Sequence, residues 1–341
     1  MAPALVRFLV PGTGARFRCG GLSVERQTAR LVANLCPTEL VTYRERSPDH
    51  PYLDDYLRQE RPDTQVLWVV SWGFDVPQLL RKLKGRPVIY QAHSSGYGFD
   101  LPAGVPVLAV SRNTMGYWGD RAPRNPLFFL PNALEPQWFE RGARHLALDS
   151  RSIDVLVQRR KSSDYVLSQL VPVLRASGLR VEVQDGWVDD LVGLFNSAKV
   201  YIYDSADHWR AAGVSEGFGL PPLEAMACGC VVFSSLNHAL ADTLTPGEIG
   251  HQIGCGSLSA HWPSRSAWMR FSSGGCELNS AAKSRFCPVR IPKAVNSSGM
   301  SLGSPCWACR RCRAAIISPL LVRLAPAASA RNSRKRENHI T

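Results

Sequence analysis

No run of about eighteen uniformly apolar residues occurs in the 341-residue chain, so no membrane-spanning helix is expected. The opening MAPALVRFLVPG has a short apolar run broken by Arg7, too short for the core of a signal peptide. Residues 314–330, AAIISPLLVRLAPAASA, are interrupted by two prolines and Arg323. The cytoplasm is therefore the expected compartment, with the ten cysteines mostly reduced there. Acidic residues are scarce in one place only. Residues 257–341 hold 14 Lys and Arg against Glu277 and Glu337, with no aspartate, so the whole formal charge of +12 resides there. The first 256 residues balance 26 bases with 26 acids. A charge confined to one quarter of the chain argues against that quarter and the rest forming one coherent fold.

What is present is globular: 45% hydrophobic and 20% charged residues, enough for two domains with separate cores. Strand-like apolar runs alternate with helical patterns over the first half. LVRFLV (5–10), ELVTY, VLWVVS, PVIYQA and VPVLAVS read as strands. A helix is expected from near Ser23, with Val24, Thr28, Leu31, Val32 and Leu35 on one face. DVPQLLRKL reads as a second helix, and LFFLPNALEP closes this half. Residues 136–152 read as a linker. A second series follows: IDVLVQ, LRVEVQ, KVYIYD and CVVFSS as strands, and DYVLSQLVPVLRAS, the pattern Val188, Leu191, Val192, Phe195, and HALADTL as helices. Alternation of this kind implies parallel sheets. The expected fold class is α/β with two Rossmann-like domains, 1–135 and 153–256, the second incomplete.

The densest signal is SEGFGLPPLEAMACGC, residues 215–230. Pro221 and Pro222 suit the first turn of a helix, where a missing N–H costs nothing, and Gly229 suits the position just past its end. Glu216 then lies in the loop entering that helix and Glu224 a turn inside it. The N–H groups at such a helix start form an anion site, and Gly217 and Gly219 allow close approach to the backbone. Two carboxylates flanking a phosphate site can hold hydroxyls on either side of a diphosphate, which is the layout of a sugar nucleotide. Carboxylates are also common at helix starts for dipole reasons alone.

EGFGLPPLE resembles the E-x7-E motif of the retaining GT-B glycosyltransferases, the large family-four group that includes sucrose-phosphate synthases and many lipopolysaccharide and mannosyl transferases. The similarity spans about residues 5–256 and continues through EAMACG. The glycine loop after the first strand, His93, VSRNT and PNALEPQWF resemble further landmarks of that group. QRRKSS resembles its basic phosphate clamp, although here Arg159, Arg160 and Lys161 are adjacent rather than spaced. The resemblance implies a GT-B architecture with two parallel sheets facing an interdomain cleft. It implies Glu216 at the donor sugar, Glu224 on the nucleoside ribose, and the Phe218, Gly219 and Leu220 amides, with Gly217, on sugar and phosphate. It implies Arg160 and Lys161 on the leaving diphosphate, and His93 across the cleft near sugar hydroxyls. A hydrogen-bonded structural histidine is the competing reading of His93. The loop GTGARFRCGG, with Gly12, Gly14, Gly20 and Gly21, suggests contact with acceptor or phosphate, though it is not a strict G-x-G-x-x-G.

The implied reaction is hexose transfer, with retention, from a UDP- or GDP-linked donor to an unknown sugar, lipid or small-molecule acceptor. No cofactor and no metal are expected: no D-x-D tripeptide occurs, and Asp189–Asp190 lies inside a helical pattern. The alternative is a non-catalytic, degenerate transferase with a basic nucleic-acid-binding tail; a GT-B epimerase or phosphorylase is a second enzymatic alternative. Nucleic acid is not an expected partner, and peripheral contact with the inner face of a membrane is compatible with the basic tail. In that tail CWACRRC offers three cysteines of a zinc site that lacks an assigned fourth ligand. The composition fits better a GC-rich gene read out of frame from near residues 257–260, and implies an aberrant, disordered segment over 257–341.

Overall fold

The computed structural model describes residues 3–71 and 73–253. The expectations made for the tail after residue 256, including the zinc site, the frame change and the disorder, lie outside the described residues. Two units are present, the first comprising residues up to Ala133 and the second beginning at Leu134.

The first unit is a six-stranded sheet built from β1 (Leu5–Val10), β2 (Thr38–Thr42), β3 (Val66–Val70), β4 (Val88–Ala92), β5 (Val107–Ala109) and β6 (Leu127–Phe129). The order is β2-β1-β3-β4-β5-β6 and every pairing is parallel. Both faces are covered, which is why the strands read as continuous apolar runs. On one face Val6 and Phe8 of β1, Val69 and Ile89 meet Ala29 and Val32 of helix α1 (Gly20–Val32). On the other, Leu9, Trp68 and Tyr90 meet Leu53 of α2 (Leu53–Gln59), Leu79 of α3 (Val76–Lys82) and Trp118 of α4 (Arg112–Arg121). Helix α1 begins three residues before the expected Ser23, because Gly20 and Gly21 supply its first turn. It also ends at Val32, leaving Leu35 exposed. The sequence pattern missed α2, α4 and the short β6. The Ser111 hydroxyl caps α4 by accepting from the Thr114 N–H at 3.1 Å.

The second unit holds five parallel strands, β7 (Ile153–Gln158), β8 (Val181–Gln184), β9 (Ala198–Tyr203), β10 (Val231–Ser234) and β11 (His251–Gln252), in the order β11-β10-β9-β7-β8. Helix α5 (Gln137–Glu140) precedes this sheet, and α6 (Val171–Ala176) continues a wider π-type stretch, Tyr165–Leu170. Then come α7 (Leu191–Asn196), α8 (Ala206–Ala212) and α9 (Leu220–Ala227). Val155, Val157, Val200 and Ile202 pack against Val166, Leu170 and Leu174 on one face. Leu156, Tyr201 and Tyr203 pack against Val192, Phe195, Ala225 and Ala227 on the other.

Two expectations change here. Residues 136–152 are part of the second unit rather than a free linker: Trp138 joins its core and Ala143 and Arg151 are buried. Asp190 does not lie inside a helix. It caps α7, its carboxylate accepting from the Gly193 N–H at 3.0 Å and from Arg141 at 2.7 Å. Asp189 instead accepts from the Trp187 indole. Among the described residues no cluster of His, Cys, Asp and Glu could hold a metal ion, and no helix is long and apolar enough to cross a membrane.

Candidate active site

The carboxyl ends of β7 and β9 and the start of α9 bring one group of polar side chains together in the second unit. This edge of a parallel sheet is where α/β folds bind ligands. Helix α9 runs from Leu220, carries Pro221 and Pro222 in its first turn, and is closed by Gly229 with φ 83°, as the sequence led one to expect. Gly219 at its start has φ 82°, and a Cβ there would stand 2.4 Å from Leu240 Cδ2, so the entry bend requires glycine. The backbone N–H groups of Gly217, Phe218, Gly219 and Leu220 find no hydrogen-bond acceptor among the described residues. They form an open row of donors at the positive end of the helix.

Glu216 is 6% exposed. Its Oε2 accepts from the Tyr203 hydroxyl at 2.5 Å and from the Trp209 indole N–H at 2.7 Å. Lys161 Nζ lies 3.8 Å from the same oxygen, 3.4 Å from the Tyr203 hydroxyl and 4.3 Å from the centroid of the Trp209 ring. Lys161 reaches this position from a left-handed backbone, φ 71°. For a residue with a side chain that costs on the order of 1–2 kcal/mol, so the surrounding contacts must hold it. Behind Glu216, its own N–H donates to His238 Nδ1 at 3.2 Å. Burial lowers the His238 pKa, against the pull of the Glu216 charge, and keeps Nδ1 available as an acceptor.

The adjacent basic residues separate in space. Arg159 turns to Asp185 in an exposed pair of 2.8 Å. Arg160 is exposed and takes no ion-pair partner among the described residues. Burial, then the Lys161 and Arg160 charges, lowers the pKa of His208. Glu224, on α9, is half-buried. Burial pushes its carboxyl up to about 8, with Lys161 acting in the opposite direction and Glu135 adding to the rise. The site thus holds Glu216, braced by donors, and Glu224, whose carboxyl burial shifts toward its neutral form.

In the first unit, His93 Nε2 lies 3.0 Å from Glu25 Oε2. Glu25 is fully buried on α1, and its Oε1 has no hydrogen-bond partner among the described residues. Gly20 and Gly21 open α1, while Gly12 and Gly14 lie in the loop after β1, Gly12 against the Phe17 ring and Gly14 beside Glu45. Glu25, Tyr203, Trp209 and His238 were not singled out in the sequence. Only Glu25 carried a signal, a lone acid on the apolar face of an amphipathic helix.

Residues 182–259 match the family profile described as Glycosyl transferases group 1. The Escherichia coli serotype-specific mannosyltransferase WbdA is 45% identical over 47 residues, which is 14% of this chain and 5% of that protein. Among solved structures, AviGT4, a glycosyltransferase involved in avilamycin A biosynthesis, superposes with a TM-score of 0.56 at 15% identity, covering 95% of this chain and 98% of that one. Anabaena Alr3699/HepE, solved with UDP and glucose, gives a TM-score of 0.50 at 13% identity over 83% and 95%. The fold is that of the GT-B glycosyltransferases, and the chain carries a glycosyl transferases group 1 segment that contains both Glu216 and Glu224.

Proposed function

We propose that the protein is a glycosyltransferase that moves a hexose from a UDP- or GDP-linked donor to an acceptor hydroxyl with retention of configuration. The observation that carries this reading is the junction at the start of α9: an open row of N–H donors between Glu216 and Glu224, with Lys161 3.8 Å from Glu216. The named activity of the mannosyltransferase WbdA and the UDP and glucose in the HepE crystals support it.

In this reading the Gly217 to Leu220 amides receive the diphosphate. Lys161 and Arg160 stabilise the charge that develops on the leaving diphosphate, and Lys161, held against Trp209 and Glu216 before the reaction, requires little reorganisation. The protonated Glu224 donates to or accepts from a ribose hydroxyl. Glu216 accepts from a hydroxyl of the sugar. No metal and no cofactor is needed, since the charge of the leaving group is met by side chains and backbone. Within the first unit, His93, held by Glu25, serves a sugar hydroxyl, and Gly12 and Gly14 in the loop after β1, with Gly20 and Gly21 at the start of α1, meet acceptor or phosphate.

The test is release of nucleoside diphosphate from UDP-glucose and GDP-mannose, with and without added acceptor sugars, by the wild type and by Glu216→Gln. Release by the wild type that is lost in the variant is expected. Equal release by both would remove Glu216 from the reaction.

A further inference from the structure

Helix α8 is an excursion between β9 and the glutamate loop, and none of its seven residues is buried. Asp207, His208 and Arg210 are exposed, while Trp209 is half-buried. The indole is where this helix engages the site. Its N–H donates to Glu216 Oε2 at 2.7 Å, and its ring face carries the Lys161 ammonium 4.3 Å from the centroid. The Tyr203 hydroxyl donates to that same Oε2. The other oxygen of Glu216, Oε1, makes no hydrogen bond among the described residues.

This asymmetry has a physical consequence. A carboxylate left to itself rotates about its last bond and offers either oxygen. Two donors on Oε2, one from the sheet and one from α8, oppose that rotation and leave Oε1 as the oxygen with no donor among the described residues. Two hydrogen bonds to one oxygen from separate elements hold that orientation better than either would alone. The same indole places a cation beside the carboxylate without a covalent or metal tether. One side chain thus sets both the anion that would meet a hydroxyl and the cation that would meet a phosphate.

We propose that Trp209 is a positioning residue of the donor site. It orients Glu216 Oε1 toward a hydroxyl of the nucleotide-linked sugar and holds Lys161 ready for the diphosphate. The inference rests on the donor-site reading above.

Trp209→Phe separates the two tasks, because a phenyl ring keeps a face for Lys161 and has no N–H for Glu216. Calorimetric titrations with UDP, GDP, UDP-glucose and GDP-mannose would be run on the wild type, Trp209→Phe, Trp209→Ala, Glu216→Gln and the double variant Trp209→Phe/Glu216→Gln. For Trp209→Phe, affinity for the preferred nucleoside diphosphate should stay within about twofold, while the affinity for its sugar-bearing form relative to the diphosphate falls by about fivefold or more. Trp209→Ala should weaken the diphosphate as well. The double variant should be no worse than Glu216→Gln alone, since the indole acts through that carboxylate. An unchanged ratio in Trp209→Phe, or additive losses in the double variant, would overturn the proposal. Failure of the wild type to bind either diphosphate would overturn the donor-site reading itself, and this inference with it.

Discussion

Glu25 and His93 form a closed pair: the imidazole Nε2 lies 3.0 Å from a carboxylate that has no exposed surface, and the second oxygen of that carboxylate has no partner among the described residues. Removing the histidine strands a buried acid. His93→Ala should therefore cost about 2–3 kcal/mol of stability, the penalty for an unsatisfied, charge-bearing group. Glu25→Gln should cost less, and His93→Ala in the Glu25→Leu background should cost much less than in the wild type. Urea denaturation of the wild type and the four variants checks this; equal costs of His93→Ala in both backgrounds would show that the two residues do not act as a pair.

Glu224 gives the molecule a pH dependence whose sign can be worked out. Its carboxyl is raised from the ordinary 4.5 to about 8, chiefly by burial. Between these values the folded state holds a proton that the unfolded chain has released, so stability falls as pH rises through the window. Above pH 8 the folded protein carries the full cost of a desolvated charge, on the order of 1–3 kcal/mol for a half-buried group. Glu224→Gln should thus be more stable than the wild type at pH 8.5 and nearly equal to it at pH 5. Thermal unfolding at the two pH values decides. A constant difference between the proteins would contradict the raised pKa.

Arg151 is buried and has no carboxylate partner among the described residues. Its guanidinium donates instead to the carbonyls of Ala198 at 2.7 Å, Cys228 at 2.8 Å, Ala143 at 3.0 Å and Phe195 at 3.4 Å. It thereby ties the ends of α7 and α9 to β9 and to the segment before the sheet. Arg151→Met should destabilise the second unit by more than about 3 kcal/mol, because several buried carbonyls lose their donor at once. Arg151→Lys should recover only part, since an ammonium cannot reproduce the planar fork. Chemical denaturation of both variants measures it, and a near-neutral Arg151→Met would refute the clamp.

Gly219 joins structure to binding. With φ 82° and Leu240 Cδ2 2.4 Å from the position of a Cβ, Gly219→Ala should cost about 1–3 kcal/mol and weaken nucleotide binding, because the bend that aims the loop amides is lost. Gly213, with φ 66° and open space around it, serves as the control: alanine there should cost about 1 kcal/mol and leave binding intact.

Much of the second unit was legible. LPPLEAMACG announced its helix through local rules, with two prolines for the first turn and a glycine for the end, and those rules act within one turn of chain. What surrounds Glu216 was not legible. Tyr203 and Trp209 lie 13 and 7 residues before it, and only the crossover from β9 through α8 brings them to one oxygen. The basic run gave charge but no direction; Asp185, on the adjacent strand's loop, is what draws Arg159 away. Short elements escaped for a related reason. The three residues of β6 carry too few side chains to show a period, and the apolar run that holds them reads equally well as a loop. Glu25 was hidden by its own exception, an acid on a face that otherwise reads as core.

The proposed reaction depends on a nucleoside diphosphate binding the second unit at the start of α9 through Lys161 and Arg160. Calorimetric titration of the wild-type chain and of Arg160→Ala/Lys161→Ala with UDP and GDP tests it most directly. One of the two nucleotides should bind the wild type at a single site, and the double variant should remain folded and lose well over about tenfold in affinity, as the removal of charged hydrogen bonds implies. An unchanged dissociation constant in the double variant, or no binding of either nucleotide by the wild type, would contradict it.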